Sequence, residues 1–512
     1  MLVSVTAAKC VGVEAVKVIV EADIASGIGV HIVGLPDVAV RESLLRTFTA
    51  LEALGFRIPG KKIVINLAPA DLRKNGSGYD LPIAVAIIAA SSQRNLVRAG
   101  DFVMMGELGL NGELRAIPGG LPFAQMAGEE GFAGVILPVD CAREAAEFEV
   151  TKVYGAATLM DVVRILEGEE PCEDLLVAGS GVLLAKPVLY SGCDFEDIVG
   201  QEAAKRGAEI AAAGGHNLML IGAPGAGKTS LAKAMAGILP PMTADEALMT
   251  SKIHSICGKS GVGSSYWRPF RSPHYSASLA AIIGGGGGDS ILPGEVSLAH
   301  NGILFLDEFG QMPRSVIEAL RGPLEDRCVT ISRLRSKVDY PASFMMVAAS
   351  NPCPCGYWGE GDRCNCTPSQ RINYLSKLSG PILDRIDLHV RVRTVDPSQA
   401  MQRGGEEPSV KIRARVCRAR EIQLERFKGT AIHTNAEMDN RMIEKFCTMS
   451  DECRNVMLRL MQSSGLSMRS YFRIIKVART IADLDGSKDI APEHLLEAAS
   501  YRFLDKGLIS SS

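Results

Sequence analysis

The sequence predicts an α/β protein in three parts: a mixed α/β N-terminal domain, a central α/β domain on a parallel sheet with a phosphate-binding loop, and a helical C-terminal domain. Three observations carry that prediction. The first 165 residues open with strand-like alternation, clearest in Val16–Ile24 and again in Val30–Val33, before helical patterns interleave over Arg41–Leu54 and Pro82–Ala90. Residues 221–229 read I-G-A-P-G-A-G-K-T, after the apolar run Leu218–Ile221 and ahead of the helix-like stretch Ser230–Ile238. Beyond residue 408, apolar side chains recur at helical spacing over Lys411–Phe427, Arg441–Ser463 and Arg469–Leu484.

Punctuation places the boundaries. Gly168-Glu169-Glu170-Pro171 and Gly179-Ser180-Gly181 set off residues 1–170, a linker at 171–192, a core at 193–398 and a helical lid at 399–512. The 512 residues suit about three domains, and 47% apolar content is ample for their cores. A net charge of −3 creates no global field for nucleic acid, so any such surface must be local. No charged-then-apolar leader and no apolar stretch of about 18 residues is found, which predicts a cytoplasmic protein without a membrane partner. Thirteen cysteines in so large a chain fit reduced thiols better than a disulfide framework. The five glycines 284–288 are expected to form a mobile loop rather than a phosphate site.

The chemistry starts at Gly222, Gly225, Gly227, Lys228 and Thr229. The glycines let main-chain N–H groups turn toward phosphate oxygens, Lys228 neutralises β/γ charge, and the Thr229 hydroxyl can ligate magnesium. The strand I-L-F-L-D-E at 303–308 ends in two carboxylates, Asp307 to hold the metal and Glu308 to polarise the attacking water. The cofactors expected are therefore ATP and Mg2+. Asp307 lies 79 positions after Lys228, longer than a minimal β-α-β step, so an insertion is expected over Cys257–Leu292. A further apolar strand, Phe344–Ala349, ends at Asn351, which is suited to touch the γ-phosphate or lytic water. Arg385 is suited to reach a phosphate at a subunit boundary, and Arg469, at a helix start, to report γ-phosphate status to the lid. Plainer roles are open to each: a turn former for Asn351, an ion pair with Asp384 or Asp387 for Arg385, a solvated helix start for Arg469.

This order resembles the AAA+ ATPases. Phe195-Glu-Asp-Ile198-Val-Gly200-Gln201 looks like the segment that packs near adenine there, which places Ile198 at the base. G-E-V-S-L-A-H-N-G-I-L-F-L-D-E at 294–308, N-P-C-P-C-G at 351–356 and G-P-I-L-D-R-I-D-L-H at 380–389 resemble the magnesium-chelatase-like branch, and more closely the bacterial ComM/YifB family. The likeness spans essentially the whole chain. It implies that Arg385 is a trans-acting finger and Arg469 the sensor-two arginine. It also implies a homo-oligomeric ring, a hexameric DNA helicase promoting branch migration when incoming DNA recombines during natural transformation. The N-terminal domain resembles the proteolytic domain of Lon through R-K-N-G-S-G-Y-D-L-P at 73–82 and G-E-L-G-L-N-G-E-L-R-A-I-P-G-G-L-P at 106–122. A Ser–Lys pair needs an amine beside the hydroxyl. Pro122 stands where the lysine is expected, Ser77 is shifted, and Lys74, read as an exposed loop lysine, would stay protonated. Peptidase activity is not expected, and the domain reads as an assembly or substrate-handling module.

Two local features remain. Cys353, Cys355, Cys364 and Cys366 form C-x-C-x8-C-x-C, a possible structural Zn2+ site whose C-x-C spacing is tighter than the usual knuckle. The alternative is four reduced thiols in a turn-rich loop. Residues 327–337 carry Arg327, Arg333, Arg335 and Lys337 without an acidic residue, suiting a hairpin that tracks a DNA backbone independently of sequence, branched or single-stranded. A basic edge strand is the alternative. The helix Lys411–Lys428, with Arg413, Arg415, Arg418, Arg420 and Arg426, is a second DNA candidate. The competing function for the whole chain is the ATPase motor of a magnesium-chelatase-type metal insertion complex, which does not ordinarily carry a Lon-like domain. An ATP-dependent protease or unfoldase is disfavoured by Pro122.

Overall fold

The computed structural model describes residues 2–168, 172–179, 192–259, 267–286, 291–333, 336–375, 380–395, 405–464 and 466–504. Two sheets organise them. The first has eight strands, in the order Leu176–Val177, Val153–Ala156, Gly134–Pro138, Phe102–Met104, Leu2–Val11, Glu14–Ala25, Lys62–Ala68 and Gly29–Val33. Alternation decides which face is covered: Val18, Val20 and Ala22 are buried in register with Val5 and Ala7, and Ile63, Ile65 and Leu67 continue that face. The helix Asp80–Ala90 is apolar on all sides and correspondingly enclosed. Its first residue, Asp80, is a fully buried carboxylate. It accepts from Ser43 Oγ, Arg46 Nε at 2.9 Å and the Leu108 N–H at 3.2 Å, tying helix Val38–Ala53 to Asp80–Ala90.

The second sheet is wholly parallel, in the order Phe270–Arg271, Ile303–Leu306, Met345–Ser350, Leu218–Gly222, Leu388–Val392. Helices cover both faces, so the three inner strands read as unbroken apolar runs and every one of their residues is buried. The helices Ser409–Arg426, Asn440–Phe446, Asp451–Ser464, Met468–Leu484 and Pro492–Ser500 follow. Two expectations need correction. The single helix expected over Arg441–Ser463 is broken, because Ser450 Oγ accepts the Cys453 N–H and caps a new helix. The glycine run is not all loop: Gly284 and Gly285 pair antiparallel with Leu292 and Pro293. A Cβ at Gly284 would stand 2.8 Å from the Gly294 nitrogen and Leu292 oxygen, so the pairing excludes a side chain. Residues 260–266 and 287–290 of the expected insertion lie outside the described residues; the rest of it carries the short strand Phe270–Arg271 and the short helix Leu279–Ile283.

The two sheets' domains are joined. Helix Ala244–Ser255 meets the helix start at Gly119–Leu121, where Ser255 O accepts the Gly119 N–H at 3.0 Å. Lys252, almost wholly buried, reaches Glu14 at 2.7 Å. Val13, Ile253, Ile256, Leu298 and Tyr340 share one apolar cluster across the junction.

The lid is tied to the parallel sheet by Asp387. Its carboxylate accepts the Asn217 N–H at 2.9 Å and binds Arg473 of helix Met468–Leu484, with His216 Nδ1 at 3.6 Å. Burial alone would raise its pKa, but Arg473 and His216 hold it well below the usual carboxylate range.

Asp80→Ala leaves a buried serine, an arginine and an amide without their acceptor. Urea titration should show a loss on the order of 3 kcal/mol. A depressed carboxylate stabilises above its unfolded pKa of about 4 and loses that contribution as pH falls below it. Denaturant melts from pH 8 to pH 3 should therefore show the Asp387 contribution vanishing only at the acid end, and Arg473→Met should flatten that acid limb.

Candidate functional site

Sheet order sets the site. The strand Leu218–Gly222 lies between Met345–Ser350 and Leu388–Val392, and Ile303–Leu306 flanks Met345–Ser350, so consecutive parallel strands release Gly222, Ser350 and Leu306 at one edge. Gly222 is obligatory there, since a Cβ would lie 2.2 Å from the Val392 carbonyl oxygen. Gly225 and Gly227 take φ of +77° and +91°, and nothing stands within 4 Å of where their Cβ atoms would be. The loop thus turns around open space, and the helix begins at Lys228, two residues before the expected Ser230.

Three strand ends converge on that loop. Lys228 Nζ donates to the Gly222 and Ala223 carbonyls at 2.7 and 2.9 Å and to Asn351 Oδ1 at 3.2 Å; burial lowers its pKa. Thr229 Oγ1 donates to Asp307 Oδ2 at 2.9 Å, and Asp307 Oδ1 accepts the Glu308 N–H at 2.8 Å. Glu308 is exposed and held at φ +49°, a left-handed conformation that a glutamate adopts at a cost. A hydroxyl and a carboxylate at contact distance beside an open glycine loop fit a magnesium–phosphate group. Thr229 and Asp307 would hold the ion.

Ile198 is buried, and beyond it Gly200 N–H donates to Glu406 at 2.6 Å. Gln201 Nε2 reaches Ala226 O of the phosphate loop at 3.4 Å and also binds Arg393 O. A cleft of about 800 Å3 lined by Val199, Gly200, Gln201, Arg393, Thr394 and Glu406 lies here, a size suited to a nucleoside. Glu406 went unread in the sequence because its partners lie about 200 positions away.

The two arginines are placed elsewhere. Arg385 is buried, with Nη1 on the Pro381 carbonyl at 2.7 Å and Nη2 on Glu325 at 2.5 Å, while its Nε finds no hydrogen-bond partner among the described residues. Its ion-pair partner is Glu325, neither Asp384 nor Asp387. Arg469, largely exposed, lies 3.7 Å from Asp384, which adjoins Arg385 in the chain. Both arginines have their ion-pair partners outside the phosphate loop.

Several basic residues are already engaged. Arg327 precedes the hairpin and is held at Ser343 Oγ, 2.9 Å, and Glu437, 3.2 Å, so it is not part of a free basic strip. The hairpin pairs Cys328–Arg333 with Ser336–Pro341, and Lys337 is exposed on it. Arg335 and the Arg333 side chain lie outside the described residues. On helix Ser409–Arg426, Arg415 binds Glu209 and Glu407, Arg420 the Ala212 and Ala213 carbonyls, and Arg426 Asp483. Those three are engaged within the protein, which removes them from a DNA surface on that helix, while Arg418 is exposed. Lys74 is buried rather than exposed. Its Nζ donates to the Pro69 carbonyl and burial lowers its pKa. Ser77 Oγ donates to Glu107, so serine and lysine are engaged with different partners. Pro122 is buried inside helix Gly120–Glu129.

The Sγ atoms of Cys353, Cys355, Cys364 and Cys366 all lie within 4.8 Å of one another, a set compatible with zinc. Cys353 to Cys355, Cys353 to Cys364 and Cys355 to Cys364 measure 3.3, 3.8 and 3.6 Å.

Comparison with known proteins agrees with this geometry. Residues 194–400 match the family model described as magnesium chelatase, subunit ChlI; residues 20–141 match subunit ChlI of Mg-chelatase, and 406–502 match its C-terminal model. The chain is 42% identical over 501 residues to the uncharacterized protein YifB of Salmonella typhimurium, covering 97% of this chain and 96% of that one. It is 42% identical over 499 residues to the competence protein ComM of Haemophilus influenzae, covering 96% and 95%. Likeness to magnesium-chelatase subunit ChlI of Mesostigma viride is 25% over 212 residues, 40% of this chain and 50% of that one. No helix among the described residues is long and apolar enough to cross a membrane. Full-length identity at this level, on a parallel sheet whose strand ends gather a phosphate loop, an acidic pair and an asparagine, shows that the chain belongs to the ComM/YifB family of magnesium-chelatase-like AAA+ ATPases.

Proposed function

We propose that this ATPase is a ring-forming motor that moves on DNA, a cytoplasmic hexameric helicase promoting branch migration during uptake and recombination of incoming DNA. The observation that carries the reading is the hairpin Cys328–Pro341, inserted between the acidic strand and the asparagine strand, with Lys337 exposed on it, Arg333 ending its first strand and Arg335 two positions further along the sequence. A hairpin rooted between the two strands that frame the nucleotide is placed to move when the γ-phosphate is lost. A ring of such cations binds a phosphate backbone without regard to sequence. The competence naming of the Haemophilus relative accords with this reading.

In the hydrolytic site Lys228, now on the Gly222 and Ala223 carbonyls, would bind β/γ oxygens, and Thr229 and Asp307 would hold Mg2+, which would supply charge neutralisation at the phosphates. Glu308 orients the water and Asn351 fixes it against the γ-phosphate. Arg385 is bonded to Glu325 in the isolated chain, so its trans role requires a neighbour to displace that pairing. The dyad-less N-terminal domain serves assembly or substrate handling. The metal-insertion alternative shares the family models named for the chelatase, but its likeness to a chelatase subunit itself is 25% over 212 residues, against 42% over the full length for YifB and ComM.

Glu308→Gln should keep ATP binding, lower turnover by two or more orders of magnitude, and accumulate as an assembled ring on size exclusion with ATP. Normal turnover removes Glu308 from this role. Arg333→Ala with Arg335→Ala should weaken DNA binding and flatten its salt dependence while basal ATPase is kept. ATPase rates with single-stranded, duplex and four-way-junction DNA test the motor reading directly, and a rate indifferent to all three rejects it.

A further inference from the structure

We infer that Cys353, Cys355, Cys364 and Cys366 bind one structural Zn2+ and that this ion fixes Asn351 against the phosphate loop. Tetrahedral zinc at about 2.3 Å from each sulfur requires sulfurs about 3.8 Å apart. The separations of 3.3, 3.6 and 3.8 Å approach that edge and far exceed the about 2.05 Å of a disulfide. Among the described residues no histidine or carboxylate joins the group, and an all-thiolate tetrahedron selects zinc or iron.

The tight C-x-C spacing is accommodated in two different ways. Cys353 and Cys355 sit on a turn closed by the Gly356 N–H donating to Cys353 O, with Gly356 at φ +86°. Cys364 has extended backbone and leads to Cys366 outside any helix or turn. A turn and a segment outside any turn thus present one pair each.

The cluster abuts the hydrolytic site on three sides. Cys353 is two residues from Asn351, whose Oδ1 meets Lys228. The backbone at Gly356 packs on the phosphate loop so closely that a Cβ would lie 2.7 Å from Pro224 Cδ. After Cys366, whose carbonyl accepts from Arg371 at 2.8 Å, helix Pro368–Leu375 carries the Tyr374 hydroxyl toward Gly310, just past Glu308. Without an ion, residues 352–367 are held by turn hydrogen bonds, the Thr394 Oγ1 bond to Glu360, the Arg371 guanidinium over the Trp358 ring and the packing of Gly356 on Pro224. The ion cross-links them and orients Asn351 before nucleotide arrives. The cysteines are positioning residues, and this role rests on the ATPase reading of the site.

Elemental analysis of the purified full-length protein should find one zinc per chain, with the ion lost in Cys355→Ser combined with Cys364→Ser. Cobalt substitution should give thiolate-to-cobalt charge-transfer absorption. Zinc released from the wild-type protein by a mercurial, followed by thiol rescue with and without Zn2+, should lower kcat roughly tenfold to a hundredfold while nucleotide Kd changes less than about threefold. Asn351→Ala should reproduce that loss and add little to it. Iron, no metal, or a cobalt spectrum without sulfur absorption overturns the site. An unchanged kcat after zinc release, or a matched loss of nucleotide binding, overturns the positioning role. Zinc content is measured without ATP, so failure of the metal site and failure of the ATPase reading are told apart.

Discussion

Register in the parallel sheet is the constraint from which the chemistry follows. Ile221 stands opposite Ser350 and Leu306 opposite Ala348, so the phosphate loop, the acidic pair and Asn351 all leave the sheet within a residue or two of one another. A shift of one residue would turn each strand's side chains over and separate Lys228 from Asn351. Burial on both faces prevents it: Met219, Leu220, Phe305 and Val347 pack into two different clusters, and neither tolerates the other's side chains in exchange. Apolar packing therefore specifies where the polar atoms meet, and the short hydrogen bonds at Lys228 and Thr229 are consequences of it.

The C-terminal helices are attached by an apolar seam, in which Val416, Ile474 and Ile481 share one cluster with Leu220 and Leu388, and by charge. Asp387, one position beyond Ile386 and two beyond Arg385, binds Arg473 from the lid, while Arg385 and Arg469 flank Asp384 in the same stretch. A buried carboxylate with a single strong cation is a poor general stabiliser, since its desolvation offsets most of the attraction. It is a good positional device, because removing either partner is costly. Any tilt of helix Met468–Leu484 therefore moves the segment that carries Arg385. The position of that helix and the position of Arg385 are thus linked through Asp387.

Much of this was legible in the chain. Gly222, Lys228, Thr229, Asp307 and Asn351 were readable because each is a local pattern tied to a strand end, and the structure brings them together. What failed to read was pairing across long separations. Nothing near Arg327, Arg415 or Arg426 announces Glu437, Glu209 or Asp483, so cations spaced like a surface stripe proved to be internal. Lys74 looked exposed because its neighbours are polar, yet the loop folds it onto the Pro69 carbonyl. The C-x-C spacing looked too tight because a linear pattern does not show that one pair lies on a turn and the other outside any helix or turn.

The junction between the two sheets gives the dyad-less domain a physical role. The loop where the Lon likeness expects a catalytic lysine instead presents backbone N–H groups of Gly119 and Leu121 to Ser255, at the end of helix Ala244–Ser255. The same junction takes Tyr340 and Val338 from the hairpin into contact with Val13 and Gly12. The hairpin is therefore contacted by the N-terminal sheet along its second strand, at Tyr340 near the base and at Val338 midway, while the ladder ends where Arg333 pairs with Ser336. A lever held at its base by a second domain can deliver force at its tip only as far as that base resists.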